Sequence, residues 1–184
     1  MSYQGKLLIA HPNCPQDSPF HKSVVFVYQD NPGNGTLGVI VNKPSKYTVQ
    51  DVCAEKKLVY LNNGPHIFHG GPVNSNALVL LHTNEWQSEN TIAVGEGLSI
   101  SSDNVMLELI SRGNEPNHWR LFGGLSGWGP KQLDQEMSGK WPYRPENSWL
   151  IADGNANFLL KTPFKHQWSE ACKLAGSQMF EQYF

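Results

Sequence analysis

The sequence has few charged residues and almost no net charge. Charged side chains make up 16% of the 184 residues, and the formal net charge at pH 7 is −2. A domain that binds nucleic-acid phosphates by releasing counterions usually presents a basic face. The Lys and Arg residues are instead scattered along the chain, so the sequence disfavours direct DNA binding.

Long apolar runs and paired cysteines are also missing. No run approaches the ~20 apolar residues that a membrane-spanning helix needs. The apolar stretch at residues 7–10 is too short for the core of a secretion signal. Cys14, Cys53 and Cys172 are odd in number and lack a CxxC spacing, which disfavours a disulfide framework. We therefore expect a cytoplasmic protein without membrane association.

Turn-forming residues are abundant, with 17 Gly and 12 Pro, which indicates short elements joined by many turns. Segments rich in β-branched and apolar residues predict strands, mostly in the first half of the chain. Two of them, joined by the turn residues 30–35, form a predicted antiparallel hairpin. The predicted strands cover residues 6–10, 23–28, 36–42, 77–82, 91–94, 97–100, 118–122 and 149–152.

Helix signals are concentrated in the second half. An earlier short helix is predicted to begin at Thr48, because Thr48 and Asp51 fit a capping box. The later helices are predicted after Ser101 or Ser102, from Pro130 as the first helical residue, and from Thr162 to a stop at Gly176. The core stripe of the helix after Ser101 or Ser102 would contain Val105, Met106, Leu109 and Ile110.

Short motifs occur in a fixed order along nearly the whole chain. They are LIA with a following Pro at residues 8–12, GVIVNKP at 38–44, GGPV at 70–73, LHT at 81–83, and GWGP at 127–130 with Gln132, Glu136 and Trp141. Together they resemble the YqgE/AlgH family. Ser126, Lys131, Cys14 and His69 depart from the family pattern, which argues against a mechanism built on Ser126, Cys14 or His69.

The resemblance implies one α+β domain over residues 1–184, with a mixed, strongly curved, barrel-like sheet and helices packed outside it. The family has no established biochemical activity, and its members are often labelled as transcriptional regulators.

Residues 123–129 are rich in glycine and precede a predicted helix. A strand, glycines and a helix N-terminus together can bind an anion through free backbone N–H groups. However, neither the Walker A nor the G-x-G-x-x-G pattern is present, and Pro130 lacks an N–H. A tight turn that lets Trp128 pack is therefore favoured over phosphate binding.

Other residues that could carry chemistry have weak signals. Ser126 lacks the final Gly of the G-x-S-x-G nucleophile pattern. His66 and His69 have no acidic or Cys partner at zinc-like spacing. His82 ends an apolar strand, where a hydrogen-bonded structural role is favoured over a ligand or base. We predict no catalytic residue, no metal site and no cofactor.

The prediction is a non-enzymatic regulatory or interaction protein that recognises an unidentified protein partner or a small effector. Two alternatives remain. The first is a protein that binds a small anion or metabolite at the Gly-rich turn, with or without catalysis, in which Lys43 supplies a mobile cation. The second is a DNA-binding regulator. A shared site requires that Lys43, Gly71 and Gln132 lie close together. The candidate binding or interface residues are Asn42, Lys43, Pro44, Gly70, Gly71, Pro72, His82, Trp128, Gln132, Glu136 and Trp141.

Overall fold

A computed structural model of the chain describes residues 2–60, 64–139, 142 and 148–181. The strands are β1 (Lys6–Ala10), β2 (Val24–Asn31), β3 (Gly35–Ile40), β4 (Pro44–Thr48), β5 (His66–His69), β6 (Val73–Thr83), β7 (Ile92–Gly95), β8 (Leu98–Ser101), β9 (Trp119–Trp128) and β10 (Trp149–Asp153). The helices are α1 (Val49–Glu55), α2 (Asn104–Ser111), α3 (Gln132–Ser138) and α4 (Phe164–Glu181), with a π-helical turn at Asn157–Lys161.

The strands form one curved sheet in the order β10-β1-β2-β3-β9-β6-β8-β7. All neighbours along this order are antiparallel, whereas β5 pairs with β9 in parallel and with β4 antiparallel. The sheet curls so far that β7, at one end of the order, contacts β2. The predicted α+β class with a strongly curved, mixed sheet is confirmed. Among the described helices, none is long and apolar enough to cross a membrane.

Both faces of the central strands are buried, and this explains their unbroken apolar sequences. Leu7 and Ile9 pack with Ala171 of α4 in one cluster. Leu8 and Ala10 point to the opposite face, because side chains alternate along a strand, and they pack in a second cluster with Leu133 of α3. A third cluster joins α1 and α2 to β5, β6 and β9.

Several local predictions are correct. The capping box is present at α1, where the Asp51 N–H donates to the Thr48 hydroxyl and the Thr48 N–H donates to Asp51. The hairpin of β2 and β3 is antiparallel. Strands β4 and β5 were not predicted, because Pro44 reads as a strand terminator and β5 has only four residues.

The predicted start of α2 is wrong by one to two residues. Asp103 is the N-cap, and its carboxylate accepts a hydrogen bond from the Met106 N–H at 2.8 Å. Val105, predicted in the core stripe, is 37% exposed. Met106 and Ile110 are buried as predicted.

The Gly-rich stretch belongs to β9, which continues to Trp128 instead of ending in a loop. Helix α3 then begins at Gln132 behind Lys131, whose φ is 63°, so Pro130 is not the first helical residue. The glycines allow β5 and the chain after it to cross β9 closely: a Cβ at Gly70 would lie 2.2 Å from the Gly124 carbonyl oxygen. The strand therefore replaces the phosphate-binding turn that the glycines could have formed.

Helix α4 continues through Gly176, so the predicted stop there is wrong. We expect Gly176→Ala to raise the free energy of unfolding by about 1 kcal/mol, because Ala loses less backbone entropy in a helix. A Cβ at this position meets no atom within 4 Å. Urea denaturation measures the change.

Gly113→Ala is the matched control. A Cβ at Gly113 is equally free of contacts, but the φ of +80° is left-handed, so this substitution should destabilise the protein. Equal effects of the two substitutions would contradict the backbone argument.

Candidate functional site

The candidate residues fall into two separate groups. Lys43, Gly71 and Pro72 line one cavity of about 550 Å³. Gln132 and Glu136 lie instead in a hydrogen-bonded cluster around Trp128. Lys43 and Gly71 therefore line the same cavity, whereas Gln132 is not among the residues that line it.

The cavity has mainly apolar walls. Tyr47 of β4 and Phe68 of β5, two paired strands, line it together with Pro19 and Pro72. Tyr47 is 52% exposed. Such a concave, apolar surface with few polar groups is typical of a binding site.

Lys43 is fixed at this cavity. Its ammonium donates a hydrogen bond to the Pro19 carbonyl, and burial lowers the pKa of Lys43 despite an opposing contribution from Cys14. The predicted mobile cation is therefore a partly buried group that anchors the loop carrying Pro19.

Asn42 and Gly70 have structural hydrogen bonds next to the cavity. The Asn42 side chain accepts from the Val24 N–H and donates to the Lys22 carbonyl, both at 2.9 Å. The Gly70 carbonyl accepts from the Ile40 N–H at 2.8 Å and from the Ser126 hydroxyl at 3.0 Å. Since Ser126 is fully buried, it is not a surface nucleophile. These residues hold β3, β5 and β9 in the positions that shape the cavity.

The cavity continues along the surface as a groove. It shares Tyr47, Ile67, Ser75 and Gly123 with a second cavity of about 520 Å³. That second cavity shares Lys56, Asn76 and Leu78 with a third of about 450 Å³. We call these three connected cavities the groove, with its apolar end at Lys43 and Pro72 and its far end at α2.

One wall of the groove has free polar side chains. Strand β6 pairs Val73 with Leu125 and Leu78 with Gly123, so residues 74–77 bulge out of the ladder. The side chains of Ser75 and Asn76 are exposed and form no hydrogen bond with the residues that the structure describes. They are therefore available to a bound molecule.

The far end of the groove is acidic. Lys56 is the one basic side chain among the residues that line the second and third cavities. Hydrogen bonds from Thr48 lower the pKa of Asp51, so its carboxylate is ionised at neutral pH. The acidic residues along this part of the groove are Asp51, Glu55, Asp103 and Glu108.

Glu136 is the centre of the second group. Its carboxylate accepts hydrogen bonds from the indoles of Trp128 at 2.9 Å and Trp149 at 3.0 Å, and from the Gln132 amide at 3.0 Å. Phe20 stacks on Trp128 and meets Trp149 edge to face. This cluster joins α3 to β9 and β10.

The polar side chains of this group bond within the fold. Gln132 donates to Glu136, and Glu136 accepts from the buried Trp128 and Trp149 indoles, so this pair is engaged within the fold. Gln132 also accepts the Gly129 N–H at 2.9 Å, which removes a backbone donor from the proposed anion site. Sequence reasoning missed Trp149, although a buried indole signals the need for an acceptor. Trp141 lies outside the described residues.

His82 is fully buried and is therefore not a surface candidate. Its Nδ1 lies 2.8 Å from the Thr83 carbonyl oxygen and its Nε2 lies 3.0 Å from the Ser101 hydroxyl. The ring also meets Trp86 edge to face. Within the described residues, no group of three or more His, Cys, Asp or Glu side chains is arranged to hold a metal ion.

Burial lowers the pKa of His82 below its ordinary value of 6.5. The unfolded chain therefore binds this proton more readily than the folded protein, and stability falls as the pH drops below about 6.5. We expect a decrease in Tm between pH 7 and pH 5 that is smaller in His82→Gln. The control variant His66→Gln changes an exposed histidine and should retain the pH dependence of Tm. If Tm falls equally with pH in His82→Gln and in the unmodified protein, His82 is not the source of the pH dependence.

Arg120 is a further residue that the sequence did not reveal. Its guanidinium donates to the Val41 carbonyl and the Gln167 side-chain oxygen at 2.8 Å, and to the Thr162 carbonyl at 2.9 Å. It also lies over the Phe68 ring, 4.9 Å from the centroid. Burial lowers its pKa to about 10. Arg120 thus packs against Phe68, one of the residues that line the first cavity.

Comparison with known proteins gives consistent results along the chain. A family model described as AlgH-like (DUF179) matches residues 7–180. A UPF0301 protein of Stenotrophomonas maltophilia is 31% identical over 182 residues, covering 97% of this chain and 92% of that protein. One from Nitrosococcus oceani is 30% identical over 178 residues, covering 95% and 90%.

Two solved structures are similar in fold. The solution structure of the AlgH protein from Pseudomonas aeruginosa has a TM-score of 0.76 and 25% identity, covering 96% of this chain and 90% of that one. The crystal structure of protein DIP2367 from Corynebacterium diphtheriae has a TM-score of 0.68 and 22% identity, covering 90% and 83%, and supports the fold alone.

Proposed function

This chain belongs to the AlgH-like family, for which no activity is established, and we propose that it is a non-enzymatic interaction protein that binds a partner protein in the groove. The observation that carries the proposal is the position of Lys43, Gly71 and Pro72. Two motifs that are far apart in the sequence meet at one apolar cavity beside an exposed tyrosine.

The shape of the groove supports a protein partner. From Pro72 to Leu78 the wall runs for six residue steps, which is at most about 20 Å at ~3.3 Å per extended residue. A surface of this length suits a short extended segment of another chain, since the apolar end can bury a side chain and the bulge of β6 can hydrogen-bond to a peptide backbone.

The engagement of reactive side chains supports a non-enzymatic role. The hydroxyl of Ser126, the imidazole of His82 and the carboxylate of Glu136 each form hydrogen bonds within the fold. A nucleophile or general base has to reach its substrate. The groove also has His69, Lys43 and Lys56 in its lining, but apolar, hydroxyl, amide and acidic side chains dominate it, and such a lining favours binding.

Site-specific photocrosslinking tests the proposal. A photoreactive phenylalanine analogue would replace Tyr47 in the groove or, as the control, Ile92 on β7, which is 61% exposed and does not line the groove. In the cells that naturally make the protein, we expect a discrete crosslinked partner protein from position 47 and none from position 92. Equal crosslinking from both positions, or none from position 47, would refute the proposal.

A further inference from the structure

From the distribution of charge along the groove, we infer that its occupant is an extended segment with a large apolar side chain at one end and basic side chains at the other. This inference rests on the proposed function and specifies the chemistry of the partner. The apolar side chain fits the cavity that Tyr47 and Phe68 line, and the basic side chains lie opposite the acidic far end.

The apolar end has the form of a pocket for one anchoring side chain. Its apolar lining includes Ile40, Ile67 and Phe68, together with the exposed Tyr47. Arg120 lies over the Phe68 ring and donates hydrogen bonds to two backbone carbonyls and one side-chain amide oxygen. These contacts fix Phe68 and the chain at Val41, next to Ile40, and a fixed lining loses little entropy when it binds a side chain.

The middle of the groove suits a peptide backbone. Ser75 and Asn76 project from the bulge of β6 with their side-chain donors and acceptors free of described partners. Gly123 lines the same stretch and has no side chain to block approach. Hydroxyl and amide groups can bond to backbone N–H and C=O groups of any sequence, while Asp51 and Glu55 add negative charge to the same cavity.

The far end selects charge. Glu55 forms no ion pair or hydrogen bond with the described residues, and the carboxylate of Glu108 lies 3.9 Å from Arg112, a weak pair. Asp51 and Glu55 line the second cavity and Asp103 and Glu108 line the third, so the carboxylates outnumber Lys56 from the middle of the groove to its far end. Charges of one sign along a groove attract a partner of the opposite sign and repel an acidic one.

Peptide binding to the purified full chain tests the inference. The probes are fluorescein-labelled nine-residue peptides with one Phe at one end, Ser and Thr in the middle, and three Lys or three Glu at the other end, made in both chain directions. By fluorescence anisotropy at low salt, we expect the better Lys peptide to bind about tenfold more tightly than its Glu counterpart, and the difference to shrink at high salt. Replacement of Phe by Ala in the Lys peptide should abolish measurable binding.

Charge reversal in the protein supplies the matched control. Glu55→Lys with Glu108→Lys should remove or invert the preference for Lys. Glu96→Lys with Glu170→Lys changes the net charge equally at positions outside the groove, and should leave the preference intact. Both double variants are checked for an unchanged Tm. We expect Glu55→Lys to be tolerated, because Glu55 is the last residue of α1 and a cation interacts favourably with the helix dipole there.

The outcomes separate the two proposals. Absence of a preference for Lys, a preference that survives the Glu55 and Glu108 reversals, or failure of the Lys peptide to bind would overturn the inference. If crosslinks from position 47 are still formed in any of these cases, the proposed function stands. Loss of those crosslinks overturns both.

Discussion

Arg120→Met is expected to lower the free energy of unfolding by about 3 kcal/mol. Each buried acceptor that is left without a donor costs about 1–3 kcal/mol. Part of this total cost is offset, because the variant no longer has to bury a charged group. The substitution removes the donors from the Val41 and Thr162 carbonyls and from the Gln167 side-chain oxygen. These acceptors lie on three different parts of the chain, so the guanidinium ties β9 to the end of β3 and the start of α4. Urea denaturation measures the loss.

The control for Arg120 is Arg112→Met. Arg112 is exposed and pairs with Glu108 only at 3.9 Å, so its replacement should change stability by less than about 0.5 kcal/mol. Arg120→Lys keeps a cation but cannot donate in the same fork, and it should fall between the two. Similar stabilities for Arg120→Met and Arg112→Met would show that the guanidinium does not hold these elements together.

Gly71→Ala is expected to destabilise the protein by at least about 3 kcal/mol, because overpacking against fixed backbone combines with an unfavourable left-handed conformation. Gly71 has a φ of +147°, and a Cβ there would lie 2.3 Å from the Ser126 hydroxyl oxygen and 2.4 Å from the Leu125 carbonyl oxygen. The carbonyl belongs to β9 and cannot rotate away.

A double variant separates the two clashes at Gly71. Ser126→Gly removes the hydroxyl but not the Leu125 carbonyl, so it should fail to restore the stability of Gly71→Ala. Thermal unfolding of the single and double variants measures this. A Gly71→Ala protein with unchanged Tm would contradict the close approach of Gly71 to Leu125 and Ser126 of β9. It would also contradict the shape of the groove at its apolar end.

Local chemistry explains which elements could be predicted from sequence. The capping box at Thr48 and the turn between β2 and β3 depend on residues within a few positions of each other. The path of β9 depends instead on residues far away in the sequence, because Gly70 and Gly71 pack closely against the backbone of Gly124 and Leu125. Glycines that could have formed a loop are therefore part of a strand, because another segment of backbone packs against them and leaves no room for side chains.

The candidate site shows the same division. Lys43, Gly71 and Pro72 could be selected because they belong to sequence motifs, and they line the groove. Tyr47 and Ser75 could not, since an exposed tyrosine or serine carries no signal until its neighbours are known. Arg120 was equally hidden: its hydrogen-bond acceptors lie 79, 47 and 42 positions away.

The central claim is that the groove binds a segment of a partner protein. It is tested most directly by competition, with the photoreactive analogue at position 47 and the peptide carrying one Phe and three Lys added to the lysate. We predict that the peptide reduces the crosslinked partner in proportion to its concentration, whereas the peptide with Ala in place of Phe does not. Crosslinking that is unchanged by a saturating concentration of the Lys peptide would contradict the claim.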